Sequence, residues 1–276
     1  MKRSKLCSIF AAASLCVAGA TLAADPRLPD GRPDFNGTWD NGGGIDFLQP
    51  QKLAGGSVCV TGCAPAPGAA APGAAAPGAA AATAAPAGAR AAPDRPKYRP
   101  EFQARVKALE ANQVKTDPVL RCLPPGLPRI GPPDKIVQTQ REIVFLYEDV
   151  SGPFFRIVPL DGRKRIDESE TYLGDAHGRW EGDTLVVETG NFNEETWLTD
   201  DGSFHTTGLT VTERLRRNGD ALEYTAVAND PKVLAEPWQL RPRRLVKAAL
   251  EMAEPAPCID QDLDKVVDGT SHDNPR

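Results

Sequence analysis

The sequence predicts a mainly β protein, an antiparallel up-and-down β-barrel or half-barrel that is lipocalin-like in outline, with one short N-terminal helix. Three observations favour this fold. From residue 135 onward, short apolar or alternating runs follow one another, Gly, Asp or Asn bounds each run, and no helical pattern separates them. Such spacing is typical of antiparallel hairpins, because parallel strands need crossover helices. Barrel closure would remove exposed strand edges, and a β-sandwich is the alternative.

The elements can be placed in order along the chain. A helix is predicted over 100–116, because Pro100 suits a first helical position and apolar residues recur behind it at helical spacing. Hairpin turns are indicated at Gly182 and Gly219, each flanked by polar turn-forming residues. The strands are predicted at residues 135–139, 142–148, 155–160, 184–189, 209–216, 221–227 and 238–246.

The N-terminus is typical of a secretory signal peptide, residues 1–24. Basic residues at positions 2, 3 and 5 precede an apolar stretch over 6–22, and cleavage is expected after Ala23 or Ala24. A membrane anchor is the alternative, but the stretch is short and diluted by Ser and Gly. We therefore expect a periplasmic or secreted protein with no integral membrane segment after cleavage.

Composition divides the remaining chain into three parts. Residues 64–94 are almost entirely Ala, Pro and Gly, which predicts a disordered linker. The linker separates an N-terminal segment, 25–63, from an antiparallel β domain, 95–276. The segment is too short for a core of its own, so Phe35 and Trp39 are expected to dock it onto the main body.

Charge and cysteine content limit the partners. The formal net charge is −5, and loss of the three basic residues in the leader would leave about −8. An acidic surface disfavours nucleic acid as a partner. After processing, Cys59, Cys63, Cys122 and Cys258 remain. Four cysteines allow three pairings, of which we favour Cys59–Cys63 with Cys122–Cys258; a metal site is the weaker alternative.

Strand parity singles out one carboxylate, Glu213. In the run 209–216 the odd positions carry Leu, Val, Glu and Leu, and the even positions carry Thr or Arg. Because side chains alternate between faces, Glu213 is predicted to point into the interior with the apolar residues. A buried carboxylate must be paired or protonated, so it is either an acid–base group or half of a structural ion pair with Arg179 or Arg156.

Two histidines are further candidates. His205 and His177 both fall in segments interpreted as polar loops, where functional residues are common. With Glu213, Asp175 and Arg179 they form an acid–base set, although each histidine alone is as readily explained by backbone hydrogen bonds. Motifs for a serine hydrolase elbow, a phosphate loop and a dinucleotide fold are missing, so no cofactor and no metal are predicted.

Aromatic residues are spread over the chain and suit either the core or a ligand pocket. The candidates for contacts with a ligand are Trp180, Trp197, Tyr172 and Trp238.

Several motifs together resemble a large family of uncharacterised exported bacterial proteins. The most specific is Gly174-Asp175 with the run 178–187, the pattern G-D-x-x-G-R-W-E-G-D-T-L-V-V. At position 177 that family more usually has serine, which lowers His177 as a candidate, whereas His205 matches a histidine of the family. The resemblance covers most of the chain outside the leader and linker and implies export. Its other elements lie at residues 32–39, 122–126 with 128–129, 192–193 with 196–198, 213–214, 230–231 and 237–238.

Two functions are compatible with these residues. The first is an exported enzyme doing cofactor-free acid–base chemistry, a lyase, isomerase or hydrolase, on a small aromatic or sugar-like molecule. His205 would be its acid or base, Glu213 the partner and Arg179 the stabiliser of negative charge. The second is a non-catalytic periplasmic small-molecule-binding protein, and an envelope interaction module is a third option. Convergence of His205, Glu213 and Arg179 in one cavity would favour the enzyme.

Overall fold

The computed structural model describes residues 25–40, 51–52, 58–59, 95–163, 168–249, 251–254 and 258. The predicted signal peptide, the predicted linker and Cys63 lie outside these residues. The strands are β1 (Gly37–Asp40), β2 (Gln51–Lys52), β3 (Val58–Cys59), β4 (Lys135–Gln138), β5 (Glu142–Asp149), β6 (Gly152–Pro159), β7 (Asp175–Glu181), β8 (Thr184–Gly190), β9 (Thr210–Asn218), β10 (Ala221–Asn229), β11 (Trp238–Gln239) and β12 (Arg243–Lys247).

The helical segment lies between β3 and β4. It contains the α-helices α1 (Gln103–Ala111) and α2 (Gln113–Thr116), with 3-10 helices at Pro100–Phe102 and Pro118–Arg121. The α1 side chains Val106 and Leu109 pack against buried residues at one end of the barrel. The predicted short helix is therefore confirmed, and it covers one end of the barrel.

Among the described residues, ten strands form one antiparallel sheet that is nearly closed into a barrel. Around the barrel the order follows the chain: β1, β4, β5 and β6 on one side, then β7, β8, β9, β10 and β12, which returns to β1. Hydrogen bonding is interrupted only between β6 and β7 in this order. The mainly β, antiparallel and barrel-like prediction is confirmed, because all eight hydrogen-bonded pairs in this order are antiparallel and short turns join four of them.

The two open edges still approach each other at Gly178 on β7. A Cβ at this position would lie 2.8 Å from side-chain atoms of Val158 and Leu160. Any larger residue would push β7 away from β6, so glycine is what allows the barrel to approach closure here.

Three parts of the ten-stranded sheet differ from the sequence prediction. The run predicted as one strand over residues 238–246 is divided into β11 and β12. Strand β7 occupies a segment interpreted as a polar loop, so His177 stands on a strand, exposed and opposite Glu188. Strand β1 lies between β4 and β12, where Phe35 and Trp39 become buried. The sequence does not reveal β7, because its outward residues are polar or charged and two of its inward residues, Ala176 and Gly178, are small.

Buried apolar residues form two clusters. The first fills the barrel and includes Trp39, Phe145, Tyr147 and Tyr224. The second lies where the helical segment meets the barrel and includes Tyr98, Phe192, Trp197, Leu198, Phe204 and Trp238. The second cluster forms the base of the candidate site.

Candidate functional site

Glu213 points into the barrel, as strand parity predicts. It is 0% exposed and stands between Val187 on β8 and Ala226 on β10. Its Oε2 accepts a hydrogen bond of 2.6 Å from Nη2 of Arg156, which reaches across from β6. The structural ion pair with Arg156, one of the alternatives raised by the sequence, is therefore present.

The buried pair is completed by neutral hydroxyl groups. Tyr224 donates to Oε1 of Glu213 at 3.0 Å, and the Arg156 guanidinium donates to Tyr147 at 3.0 Å and Thr189 at 2.8 Å. Burial opposes the Arg156 charge, but Glu213 and Tyr147 outweigh it and raise the pKa of Arg156. Burial also raises the pKa of Tyr147 and of Tyr224. Both oxygens of Glu213 are therefore paired inside the fold, whereas Nε of Arg156 is buried without a hydrogen-bond partner among the described residues. This carboxylate is engaged by its partners rather than open to a substrate.

Arg179 lies on the opposite face of the sheet from Glu213. It is exposed on the outer face of β7, where it pairs with Glu181 at 2.9 Å and Glu188 at 2.8 Å. Asp175, at the start of the same strand, accepts a hydrogen bond of 2.9 Å from Asn191. The expected convergence of Arg179 with Glu213 is therefore not found, because neighbouring positions on β7 alternate between outside and inside.

His205 is buried, at 1% exposure, in the second cluster. Its Nδ1 is 3.1 Å from the carbonyl of Thr206, which can only accept, so Nδ1 carries the proton. Nε2 then accepts from the Thr196 hydroxyl at 2.7 Å. Burial lowers the pKa of His205, in keeping with a neutral ring. With both nitrogens engaged, His205 fixes the loop that carries Thr196.

The aromatic candidates separate into two groups. Trp197 is buried, and Tyr172 donates to Glu195 at 3.0 Å in the same loop region. Trp180 packs on Phe35 in the barrel core, with ring centroids 5.3 Å apart. Trp238 belongs to the second cluster. Of these four residues, only Trp197 lines the cleft between the helical segment and the loop that joins β8 to β9.

A cleft of about 370 Å³ lies between the helical segment and the loop that joins β8 to β9. One wall comes from α1, α2 and the Pro118–Arg121 helix, and the other from residues 194–204. Trp197 and Phe204 form an aromatic base. The lining residues are Arg105, Leu109, Lys115, Thr116, Pro118, Arg121, Leu123, Glu194, Glu195, Trp197 and Phe204.

The loop wall of the cleft is held rigidly to the rest of the fold. Tyr98 donates to the Phe204 carbonyl at 2.5 Å, and Thr206 donates its N–H and hydroxyl to the buried Asp230 at 2.6 and 2.9 Å. Gly126 packs so closely on Thr196 that a Cβ there would lie 2.4 Å from it. The cleft is therefore preformed on this side.

A disulfide links the helical wall to Cys258. Cys122 ends the Pro118–Arg121 helix in the left-handed region, with φ of 58°, and is bonded to Cys258. Its neighbours Arg121 and Leu123 both line the cleft. The predicted pairing of these two cysteines is confirmed, whereas the predicted Cys59–Cys63 pair involves Cys63, which lies outside the described residues.

The sequence alone does not reveal the cleft, because its charges come from helices and a loop that are far apart in the chain. A weak signal is the pair Glu194-Glu195, two neighbouring carboxylates beside Trp197. Within the described ranges, no group of three or more His, Cys, Asp or Glu residues is placed to hold a metal ion. The described helices include none with the length and apolar character needed to cross a membrane.

Comparison with known proteins assigns no relative: no family model, no curated protein and no solved structure matches the chain.

Proposed function

We propose that this is an exported small-molecule-binding protein whose ligand lies in the cleft between the helical segment and the β8–β9 loop. The observation that carries the proposal is the cleft itself, which combines an aromatic base with charged side chains of both signs. The cleft is largely open to solvent, and its volume of about 370 Å³ lies at the lower end of the range for small-molecule sites, about 300–1,000 Å³.

The rigidity of the walls supports binding. The disulfide links the helical side to Cys258, and the hydrogen bonds of Tyr98 and Asp230 fix the loop side. A preformed site loses little conformational entropy when a ligand binds, so modest contacts suffice for useful affinity.

Export is part of the proposal. It is supported by the basic and apolar pattern of residues 1–24 and by the disulfide, since disulfides persist mainly in oxidising compartments. Expression of the full chain in a Gram-negative host, followed by fractionation and mass measurement, tests it. The expected product is periplasmic and begins at Ala24 or Asp25. A cytoplasmic product with an intact N-terminus would contradict export.

The binding test uses the indole N–H signals of the mature protein labelled with ¹⁵N-tryptophan. The chain has four tryptophans, of which Trp197 lines the cleft, and Trp197→Phe assigns its signal. Titration with 3-phenylpropanoate, phenethylamine and glucose, each at millimolar concentration, is expected to shift Trp197 with at least one compound. Trp39 and Trp180 lie in the barrel core and serve as internal references.

A matched pair of variants locates the shift. Thr116→Tyr narrows the cleft from its exposed rim and is expected to abolish the ligand-induced shift of the Trp197 signal. Thr210→Tyr adds the same side chain at an exposed position on β9 and is expected to leave it unchanged. Shifts at Trp39 or Trp180 alone, or no shift with any compound, would contradict the proposal.

A lyase, isomerase or hydrolase acting in the cleft is the second candidate. It is favoured by the exposed carboxylates Glu194 and Glu195, either of which could act as a base. The same NMR samples test it, because turnover would convert the signals of the added compound over hours. Glu194→Gln and Glu195→Gln would then slow that conversion. A compound that stays chemically unaltered would indicate binding without catalysis.

A further inference from the structure

We infer that the ligand of the cleft is a small zwitterion with an apolar side group, the chemistry of an amino acid or a short peptide. The inference rests on the proposed function of the cleft and adds to it the charge pattern of the ligand. It is carried by the way in which charged groups on the two walls are anchored.

The helical wall is cationic. Arg121 donates Nε and Nη2 to the backbone carbonyl of Lys115 at 3.1 and 2.5 Å, which holds the guanidinium in place without neutralising it. Arg105 lies over the ring of Phe204, 3.8 Å from its centroid. Within the described ranges, Arg105, Lys115 and Arg121 form no ion pair. Their positive charges are therefore available to an anionic group.

The loop wall is acidic, and its carboxylates, like the cations of the helical wall, are held by neutral groups. Glu195 accepts from the Tyr172 hydroxyl at 3.0 Å, and Glu194 accepts from the Thr207 N–H at 3.3 Å. In the described part of the chain neither glutamate has a cationic partner, although three cations line the facing wall. Both carboxylates are thus positioned by neutral donors and keep their charge for a bound cation.

Opposite charges on facing walls select against ligands of a single charge. A carboxylate ligand gains from Lys115 and Arg121 but is repelled by the glutamates, and an amine experiences the reverse. A molecule that carries both groups can direct each toward its complementary wall. Leu109, Leu123 and Trp197 also line the cleft and favour an apolar side group.

The test compares L-phenylalanine with two analogues that each lack one charge. N-acetyl-L-phenylalanine retains the carboxylate, and L-phenylalanine methyl ester retains the ammonium group. Dissociation constants come from the Trp197 indole shift in the mature protein. L-phenylalanine is expected to bind about two- to fivefold more tightly than either analogue, as one partly exposed charge contact predicts.

Variants on each wall sharpen the test. Arg121→Gln is expected to weaken binding of L-phenylalanine and the N-acetyl analogue several-fold and to tighten binding of the methyl ester slightly, because a repelling charge is lost. Glu195→Gln is expected to weaken binding of L-phenylalanine and the methyl ester and to tighten binding of the N-acetyl analogue slightly, for the same reason. Lys107→Gln and Glu101→Gln are the matched controls, since both residues are exposed on the helical segment and neither lines the cleft.

The outcomes separate this inference from the proposed function. Equal binding of the three compounds would overturn the zwitterion inference and leave a cleft that binds small molecules. So would affinity losses that do not depend on which charged side chain is replaced. No response of Trp197 to these compounds, with a response to 3-phenylpropanoate or glucose, would overturn it in the same way. If the Trp197 signal shifts with none of the compounds, both the zwitterion inference and the proposed binding function are overturned.

Discussion

The barrel interior and the cleft both contain charged side chains, but they anchor them differently. In the interior, Arg156 and Glu213 neutralise each other at 2.6 Å, and Tyr147, Thr189 and Tyr224 form further hydrogen bonds with the pair. In the cleft, Arg121 and Glu195 are each held by a neutral group. Burial forces charges to pair, because an unpaired buried charge is costly, whereas solvent at the cleft tolerates unpaired ones. The charges available to a ligand are therefore those of the cleft.

The largest change in the free energy of unfolding is expected when the buried Arg156–Glu213 pair is broken. Glu213→Leu leaves Arg156 buried without a counter-charge and should lower the free energy of unfolding by about 3–5 kcal/mol. Urea denaturation followed by circular dichroism measures the loss. The double variant Arg156→Met/Glu213→Leu should recover most of it, since no unpaired charge remains.

Arg179→Gln is the control for that loss. Arg179 forms ion pairs on the exposed face of β7, with its side chain 48% accessible, so its removal should cost less than about 1 kcal/mol. A Glu213→Leu variant as stable as Arg179→Gln would show that the interior pair does not hold the barrel together.

Removal of the disulfide is expected to have the next largest effect. Cys122→Ser/Cys258→Ser opens a crosslink between residues 136 positions apart and should lower the free energy of unfolding by about 2–4 kcal/mol. Because Cys122 lies between Arg121 and Leu123, ligand affinity in the cleft should also fall. Unchanged affinity would mean that the helical wall does not need the crosslink.

His205 should make stability depend on pH. Its pKa is lowered in the folded protein, so below about pH 6.5 the unfolded chain takes up a proton that the native ring resists. Stability should therefore fall as pH falls through that range, by up to about 1.4 kcal/mol per pH unit.

His205→Gln should flatten this slope. Denaturation curves of wild type and His205→Gln between pH 7.5 and 5 make the comparison. His177→Gln, at an exposed position on β7, should retain the wild-type slope. Parallel slopes in wild type and His205→Gln would exclude a buried neutral ring at residue 205.

The smallest effect on stability is expected in the cleft. Arg121→Gln removes a charge without an ionic partner in the described part of the chain, so the free energy of unfolding should change by no more than about 0.5 kcal/mol. Denaturant midpoints measure the change. A loss as large as that from Glu213→Leu would place Arg121 with the structural charges.

Local pattern in the sequence predicted the barrel and the inward direction of Glu213. Alternation over 209–216 determines which face each side chain occupies, and the glycines at 182 and 219 mark hairpin turns, with φ of +58° and +61°. Strand β7 was missed because its inward residues include Gly178 and its outward ones are charged. The cleft was missed because helices and a loop distant in sequence meet there only through tertiary packing.

The central claim is that ligand binding depends on the cleft charges and not on the interior pair. The most direct test is the dissociation constant of L-phenylalanine and of 3-phenylpropanoate, read from the Trp197 indole, for two double variants. Arg156→Met/Glu213→Leu should bind as the wild type does. Arg121→Gln/Glu195→Gln should lose at least fivefold with L-phenylalanine while remaining folded. The reverse pattern, with binding lost only when the interior pair is replaced, would contradict the account.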